Sequence, residues 1–201
     1  MITRATEYKK LEELFGQSGN QLYILYGREG CGKELLLQLF TRDKKCFYYH
    51  ARNASAEEQL HQMQHEIEKQ FEANLIRDTY DECFNRIKSG DASKLVVIID
   101  AFDRIVKKDP AFMESILKLK ARRLYPGPVM ILLCHSSLAW ASRDMQTCLG
   151  ESMEKVNGII KLDDMKFLDV VRAFPEYTVA QCVETYGIIG GVPDYLNRWN
   201  G

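Results

Sequence analysis

Apolar positions along this chain alternate between two rhythms. Gln21-Leu22-Tyr23-Ile24-Leu25-Tyr26 is a short apolar and aromatic run halted by Gly27, which predicts a strand. Leu35, Leu36, Leu37, Leu39 and Phe40 follow a glycine-rich turn and predict a buried helix. Cys46-Phe47-Tyr48-Tyr49 is a second strand, running into the polar loop His50 to Ser55. Ser55-x-x-Glu58 is a capping-box pattern, and Ala56, Leu60, Met63, Ile67 and Phe71 follow at helical spacings of 4, 3, 4 and 4. A further helix is expected from Ile76, Tyr80, Cys83 and Ile87, stopping at Ser89-Gly90-Asp91. Leu95-Val96-Val97-Ile98-Ile99 is apolar throughout, as a parallel strand buried on both faces is, and it ends at Asp100. A helix is expected from about Pro110. Pro126-Gly127-Pro128 then introduces the strand Val129 to Leu133, and a loop His135-Ser136-Ser137 leads to another helix. Gly158 to Leu162 is the last strand. From about Asp163 the pattern is all helical, through Phe167, Val170, Val171, Phe174, Val179, Cys182, Val183 and Tyr186. Five strands joined by helices predict a mostly parallel α/β sheet with a small helical tail.

Composition narrows the function. The 201 residues suit one domain with a small appendage, and 46% apolar against 27% charged residues is ordinary for a chain with a real core. Lysine and arginine number 27 and acids 28, so no global attraction to nucleic acid or an anionic membrane follows. The apolar runs fall far short of the ~18 residues of a spanning helix, and the N-terminus has no secretion core. The chain reads as cytoplasmic and without a membrane partner. Cys31, Cys46, Cys83, Cys134, Cys148 and Cys182 form no C-x-x-C pair, so small buried hydrophobes are expected rather than disulfides or a zinc site.

The candidate chemistry lies in Gly27-Arg28-Glu29-Gly30-Cys31-Gly32-Lys33-Glu34. A G-x-x-x-x-G-K core between a strand and a helix cradles phosphate on successive backbone N–H groups, with the lysine reaching the β- and γ-phosphates. Its three fixed positions recur by chance in roughly 6% of chains this long; the flanking strand and leucine-rich helix reduce that. Asp100, at the end of an apolar strand, matches the acid that holds magnesium in nucleoside triphosphatases. Two positions depart from that pattern. Glu34 stands where a magnesium-binding Ser or Thr belongs; a carboxylate can ligate the ion, so Asp100 and Glu34 are the expected metal pair. Glu34 also brings about 4 kcal/mol of repulsion per charge pair near phosphate, at ~4 Å and an effective dielectric of ~20. Ala101 leaves the position after Asp100 without a proton acceptor, and Asp103 is the remaining candidate base.

These motifs resemble those of the archaeal and bacterial AAA-like ATPases of the signal-transducing (STAND-type) P-loop class. The resemblance implies a three-layer α/β/α P-loop fold: a nucleotide-binding core over 1–163, a helical lid over 164–201, then a winged helix. It implies ATP or ADP as ligand, with magnesium. Ile2-Thr3-Arg4, with Glu7 and Leu11, is similar to the family's N-terminal segment near the adenine, which brings in Ile2 and Arg4. Ile98-Ile99-Asp100-Ala101-Phe102 resembles the acidic strand end, normally Asp-Glu-Phe. Leu133 to Ser137 resembles the sensor strand, with Ser136 or Ser137 in the sensing position. Gly190-Gly191-Val192-Pro193-Asp194-Tyr195-Leu196 is similar to the lid signature Gly-Gly-Val-Pro-x-Tyr-Leu and implies that Pro193 and both glycines close over the base. The arginine usual before the last strand is missing between Glu151 and Gly158, and the sequence stops eight residues after Pro193. The nucleotide set is therefore Gly27, Gly30, Cys31, Gly32, Lys33, Glu34, Ile2, Arg4, Ser136 and Pro193.

Other signals point to ordinary roles. His61 and His65 share a helix face, but Gln62 stands where a metalloprotease glutamate would. Lys118, Lys120, Arg122 and Arg123 are a basic cluster at a predicted helix end, so nucleic acid is not expected for this segment by itself. The expected function is adenine-nucleotide binding with weak or absent hydrolysis, in a regulatory module that addresses a protein partner or a further domain. The alternatives are an active ATPase with a non-standard base, or a DNA-associated regulator in a longer form.

Overall fold

The computed structural model describes residues 4–72, 79–88, 90–122 and 127–199. A first helix, α1 (Ala5–Phe15), leads into β1 (Gln21–Gly27), α2 (Lys33–Thr41) and β2 (Cys46–His50). Next come α3 (Ala56–Phe71), α4 (Tyr80–Arg86), β3 (Leu95–Asp100), α5 (Asp103–Val106) and α6 (Ala111–Ala121). β4 (Val129–His135), α7 (Leu138–Arg143), α8 (Met145–Leu149), a 3-10 turn (Gly150–Lys155) and β5 (Gly158–Leu162) complete the sheet region. α9 (Phe167–Ala173), α10 (Val179–Ile189) and α11 (Pro193–Arg198) form the tail.

The strands pair in parallel in the order β2-β3-β4-β1-β5. Side chains alternate across each strand, so one strand feeds two cores. Val97, Ile99, Ile131 and Leu133 face a large core with α3, α4 and α6. Val96, Ile98, Met130 and Leu132 face a second one with Leu11 of α1 and Leu36, Leu37 and Phe40 of α2. The fold is thus the α/β three-layer P-loop architecture that the periodicities and resemblance predict. Because β4 separates β1 from β3, the loop after β1, the end of β4 and Asp100 open side by side on one edge.

Local predictions hold where local chemistry sets them. Ser55 caps α3, its Oγ accepting from the Glu58 N–H at 3.2 Å, and His61 and His65 are exposed. Thr79 caps α4 in the same way at 3.3 Å. The helix expected there is shorter: Ile87 is buried but lies beyond its end in extended backbone. Ile76 and Ser89, which framed that expectation, lie outside the described residues, as do Arg123 and Pro126.

Two expectations are corrected by packing. His135, expected in a loop, is the last residue of β4, paired with Tyr26 of β1 and fully buried. Val179 and Val183, expected on an apolar helix face, are exposed, because α9–α11 bury only a small cluster of Met165, Val170 and Leu196. Among the described residues no helix is long and apolar enough to cross a membrane.

Candidate functional site

The loop after β1 turns sharply enough to aim α2 at a cavity of about 450 Å³, lined by Lys33, Glu34, His50, Asp100, Ser136 and Pro193 among others. Gly30 and Gly32 carry this turn at φ of +75° and +83°, a left-handed geometry that costs other residues ~1–2 kcal/mol. Gly32 is also the cap of α2, so the helix presents its first N–H groups to the cavity. Gly27 ends β1, with the Leu162 carbonyl packed against its Cα. Cys31 lines the cavity only in part; its thiol is buried, which pushes its pKa up.

Lys33 is the centre of the site. Its Nζ donates to Ser136 Oγ at 2.6 Å and lies 3.2 Å from Asp100 Oδ1. Of the two candidate serines, Ser136 therefore faces the lysine. Ser137 instead caps α7, accepting from the Trp140 N–H at 3.1 Å. Asp100 is nearly buried, and burial alone would raise its pKa. The Lys33 charge and hydrogen bonds from His50 and Lys33 outweigh that and hold the carboxyl below its ordinary value.

Two partners of Asp100 were not apparent in the sequence. The Tyr48 hydroxyl donates to its Oδ2 at 3.1 Å, and His50 Nδ1 lies 3.0 Å from the same oxygen. A carboxylate only accepts, so His50 carries its proton on Nδ1. Burial and the Asp100 charge push the Tyr48 pKa up, so this hydroxyl stays a donor. The only signal available beforehand was the i, i+2 spacing of Tyr48 and His50 at a strand end, which puts both on one face.

Arg4 joins the N-terminal segment to the loop. Its guanidinium is buried and donates to the Cys31 carbonyl, to the Asp163 carbonyl at 2.6 Å and to Glu7 at 2.8 Å. It also borders a second cavity of about 580 Å³ with Lys161, Met165, Asp169 and Arg172, between the N-terminus and the tail. Ile2 lies outside the described residues.

The tail closes onto the loop. The Asp194 N–H donates to the Gly30 carbonyl at 3.1 Å, Pro193 packs beside Gly32, and Arg28 pairs with Asp164 at 2.8 Å. Only Pro193 of the expected trio touches the loop. Gly191 lies against the Met165 backbone, whose N–H donates to its carbonyl at 2.7 Å, and Gly190 shapes the turn at φ +72°.

The remaining catalytic candidate is not brought to the cavity. Asp103 sits on α5 and pairs with Lys107 at 2.9 Å, away from the residues lining the cavity. Ala101 is buried at φ +55°, its N–H donating back to Asp100 Oδ1 at 3.0 Å. As a magnesium site the donor set does not fit. The ion needs near-octahedral oxygens, usually including one or two protein carboxylates. Asp100 has two donors on each oxygen, which fills its lone pairs. Glu34 is exposed and accepts from Gln38 Nε2 at 3.2 Å along its own helix.

Residues 1–198 match the model of an ATPase domain found predominantly in Archaea, and the chain belongs to that family. A relative from Methanocaldococcus jannaschii, an uncharacterized protein, is 21% identical over 98% of this chain, which spans 43% of its length. Among solved structures the fold is similar to a Walker-type ATPase of Pyrococcus abyssi (TM-score 0.64, 17% identity, covering 98% of this chain and 65% of that one). It is also similar to the ORC1 protein of Aeropyrum pernix in complex with DNA (TM-score 0.63, 13% identity, 98% and 58% covered). A STAND protein of Pyrococcus horikoshii with a tetratricopeptide repeat sensor shares the fold as well (TM-score 0.56, 13% identity, 98% and 29% covered).

Proposed function

We propose that this chain is an adenine-nucleotide-binding domain with weak or absent hydrolysis, working as a cytoplasmic regulatory or signalling module. Residues 1–163 act as the nucleotide core and 164–201 as the lid. The observation that carries this reading is Lys33 at the loop mouth, aimed by Ser136 and Asp100 into a cavity lined by backbone at left-handed glycines. Family membership supports the nucleotide, and the second cavity beside Arg4, which Pro193 does not line, offers space for the base. The methyl of Ala101 and the Asp103–Lys107 pair support slow chemistry, since neither offers a base within reach of a phosphate-bound water.

The lid is the part that a partner or a further domain would read. It carries exposed Leu168, Val179, Val183, Ile188 and Tyr195, more apolar surface than an isolated tail needs. A DNA-associated role has less support here, because the described members of the basic cluster are engaged within the chain. Lys118 pairs with Asp81, Lys120 with the Lys155 carbonyl, and Arg122 with the Phe84 and Ile87 carbonyls at 3.3 and 3.2 Å.

Titration calorimetry with ATP and ADP tests the proposal. The unmodified chain should bind both, and Lys33→Ala should weaken binding by at least ~100-fold, as loss of a charge-assisted phosphate contact of about 3 kcal/mol implies. Equal binding by a folded Lys33→Ala variant would sink the assignment.

A further inference from the structure

We infer that this loop takes its nucleotide without a divalent metal, the phosphate charge being met by side-chain cations. The inference rests on the nucleotide reading above and concerns the chemistry of the same cavity.

The barrier to a metal is built by the sheet. Parallel pairing of β2 with β3 sets His50 opposite Asp100 and Tyr48 opposite Ile98. Two side chains spaced i, i+2 on the edge strand thus reach over the same carboxylate oxygen, at 3.0 and 3.1 Å. Asp100 Oδ1 in turn receives the Ala101 N–H at 3.0 Å and faces the Lys33 ammonium at 3.2 Å. If phosphate drew Lys33 away, Oδ2 would still hold both its donors, because strand register rather than a loop rotamer places them.

A dication entering here would have to strip these donors and would meet the Lys33 charge at close range. Besides Asp100 and Glu34, the cavity's carboxylates belong to Glu29 on the loop and to Asp194 on the lid, where Asp194 pairs with Arg198. The family's hydroxyl position holds Glu34, whose carboxylate turns along α2 to Gln38, and the Ser136 hydroxyl accepts from Lys33. The cavity instead presents Arg28, Lys33 and Arg198 on its walls, Arg28 paired with Asp164 at 2.8 Å and Arg198 with Asp194 at 3.1 Å. Those cations, with the N-terminus of α2, are sufficient in kind to hold a polyphosphate.

The test is binding of a fluorescent ADP analogue to the full chain in excess EDTA and in excess magnesium chloride. The affinities should agree within about threefold. Binding tighter by tenfold or more in magnesium overturns the inference while leaving the nucleotide reading intact. Binding in neither buffer overturns the nucleotide reading and this inference with it. Mn²⁺ paramagnetic resonance gives a second readout: with ADP and protein present, the signal should match that of Mn²⁺ and ADP without protein. A distinct protein-bound Mn²⁺ signal overturns the inference. Glu34→Thr combined with Tyr48→Phe and His50→Asn frees Asp100 and restores the hydroxyl. In that variant, shown folded by its melting transition, ADP should bind at least tenfold tighter in magnesium than in EDTA. No change there overturns the assignment of Tyr48 and His50 as the barrier.

Discussion

The two walls of the phosphate cavity differ in their chemistry. On the β1 side the left-handed Gly30 and Gly32, the start of α2 and Lys33 braced by Ser136 are in place, and Glu34 is the one departure. On the β3 side only Asp100 is retained, and it is surrounded by donors from Tyr48, His50, Lys33 and Ala101. The two walls meet at one ion pair of 3.2 Å, so no distance separates the intact half from the altered one. The comparison teaches that holding a nucleotide and cleaving it depend on separable groups: backbone geometry and one cation for the first, an acceptor and a metal for the second.

The largest expected effect comes from rebuilding the altered wall. Glu34→Thr, Tyr48→Phe and His50→Asn together with Ala101→Glu should raise steady-state ATP turnover by ~10²–10⁴-fold, the range a positioned general base supplies. Ala101→Glu without the other three, or the three without it, should leave turnover at background. Turnover by the unmodified chain, abolished in Lys33→Ala, would break the comparison by showing that the β3 wall still works.

A second prediction concerns what that wall has beneath it. His135 is fully buried against Tyr26, Phe102 and Trp140, with ring centroids at 5.3, 5.7 and 4.8 Å, and neither ring nitrogen has a hydrogen-bond partner among the described residues. Burial pulls its pKa from 6.5 to about 4. A pKa lowered on folding means that the unfolded chain binds the proton first. Stability is therefore full above pH 6.5 and is lost as pH falls towards 4, by on the order of 3 kcal/mol. Urea unfolding as a function of pH should show this loss, and His135→Leu should flatten the curve over that window. An unchanged slope in the variant would place the acid sensitivity elsewhere.

The smallest effect sharpens the contrast at one residue. Ala101 sits at φ +55°, where a side chain costs ~1–2 kcal/mol; glycine removes that strain but gains ~0.4–1 kcal/mol of unfolded-state freedom. Ala101→Gly should therefore stabilise the chain by between about 0 and 1.6 kcal/mol in urea midpoint measurements, without altering nucleotide affinity. A destabilised variant would mean that the methyl itself packs usefully in the wall.

Much of this molecule follows from neighbours in sequence. The five strands begin where their apolar runs begin, and the three inner ones, buried on both faces, carry unbroken apolar stretches. Ser55 and Glu58 set the start of α3 through a hydrogen bond three residues long. Gly27 to Lys33 declare a phosphate loop by spacing, since only a strand, a glycine turn and a helix in succession can aim the N–H groups.

What tertiary structure alone decided is which distant groups meet. Ser136 rather than Ser137 faces Lys33 because β4 runs two residues further than its apolar run, carrying His135 into the core. Tyr48 and His50 reach Asp100 because β2 pairs with β3 in one register out of several that periodicity allows. Asp103, three positions from Asp100 in sequence, is turned onto α5 and away from the cavity. Arg4 finds the Asp163 carbonyl across 159 positions of chain. Periodicity and spacing act over one or two turns of backbone and so settle elements and loops. Long-range register and burial act between segments, and they determine whether an acid at the end of a strand is free to hold a metal or is already held.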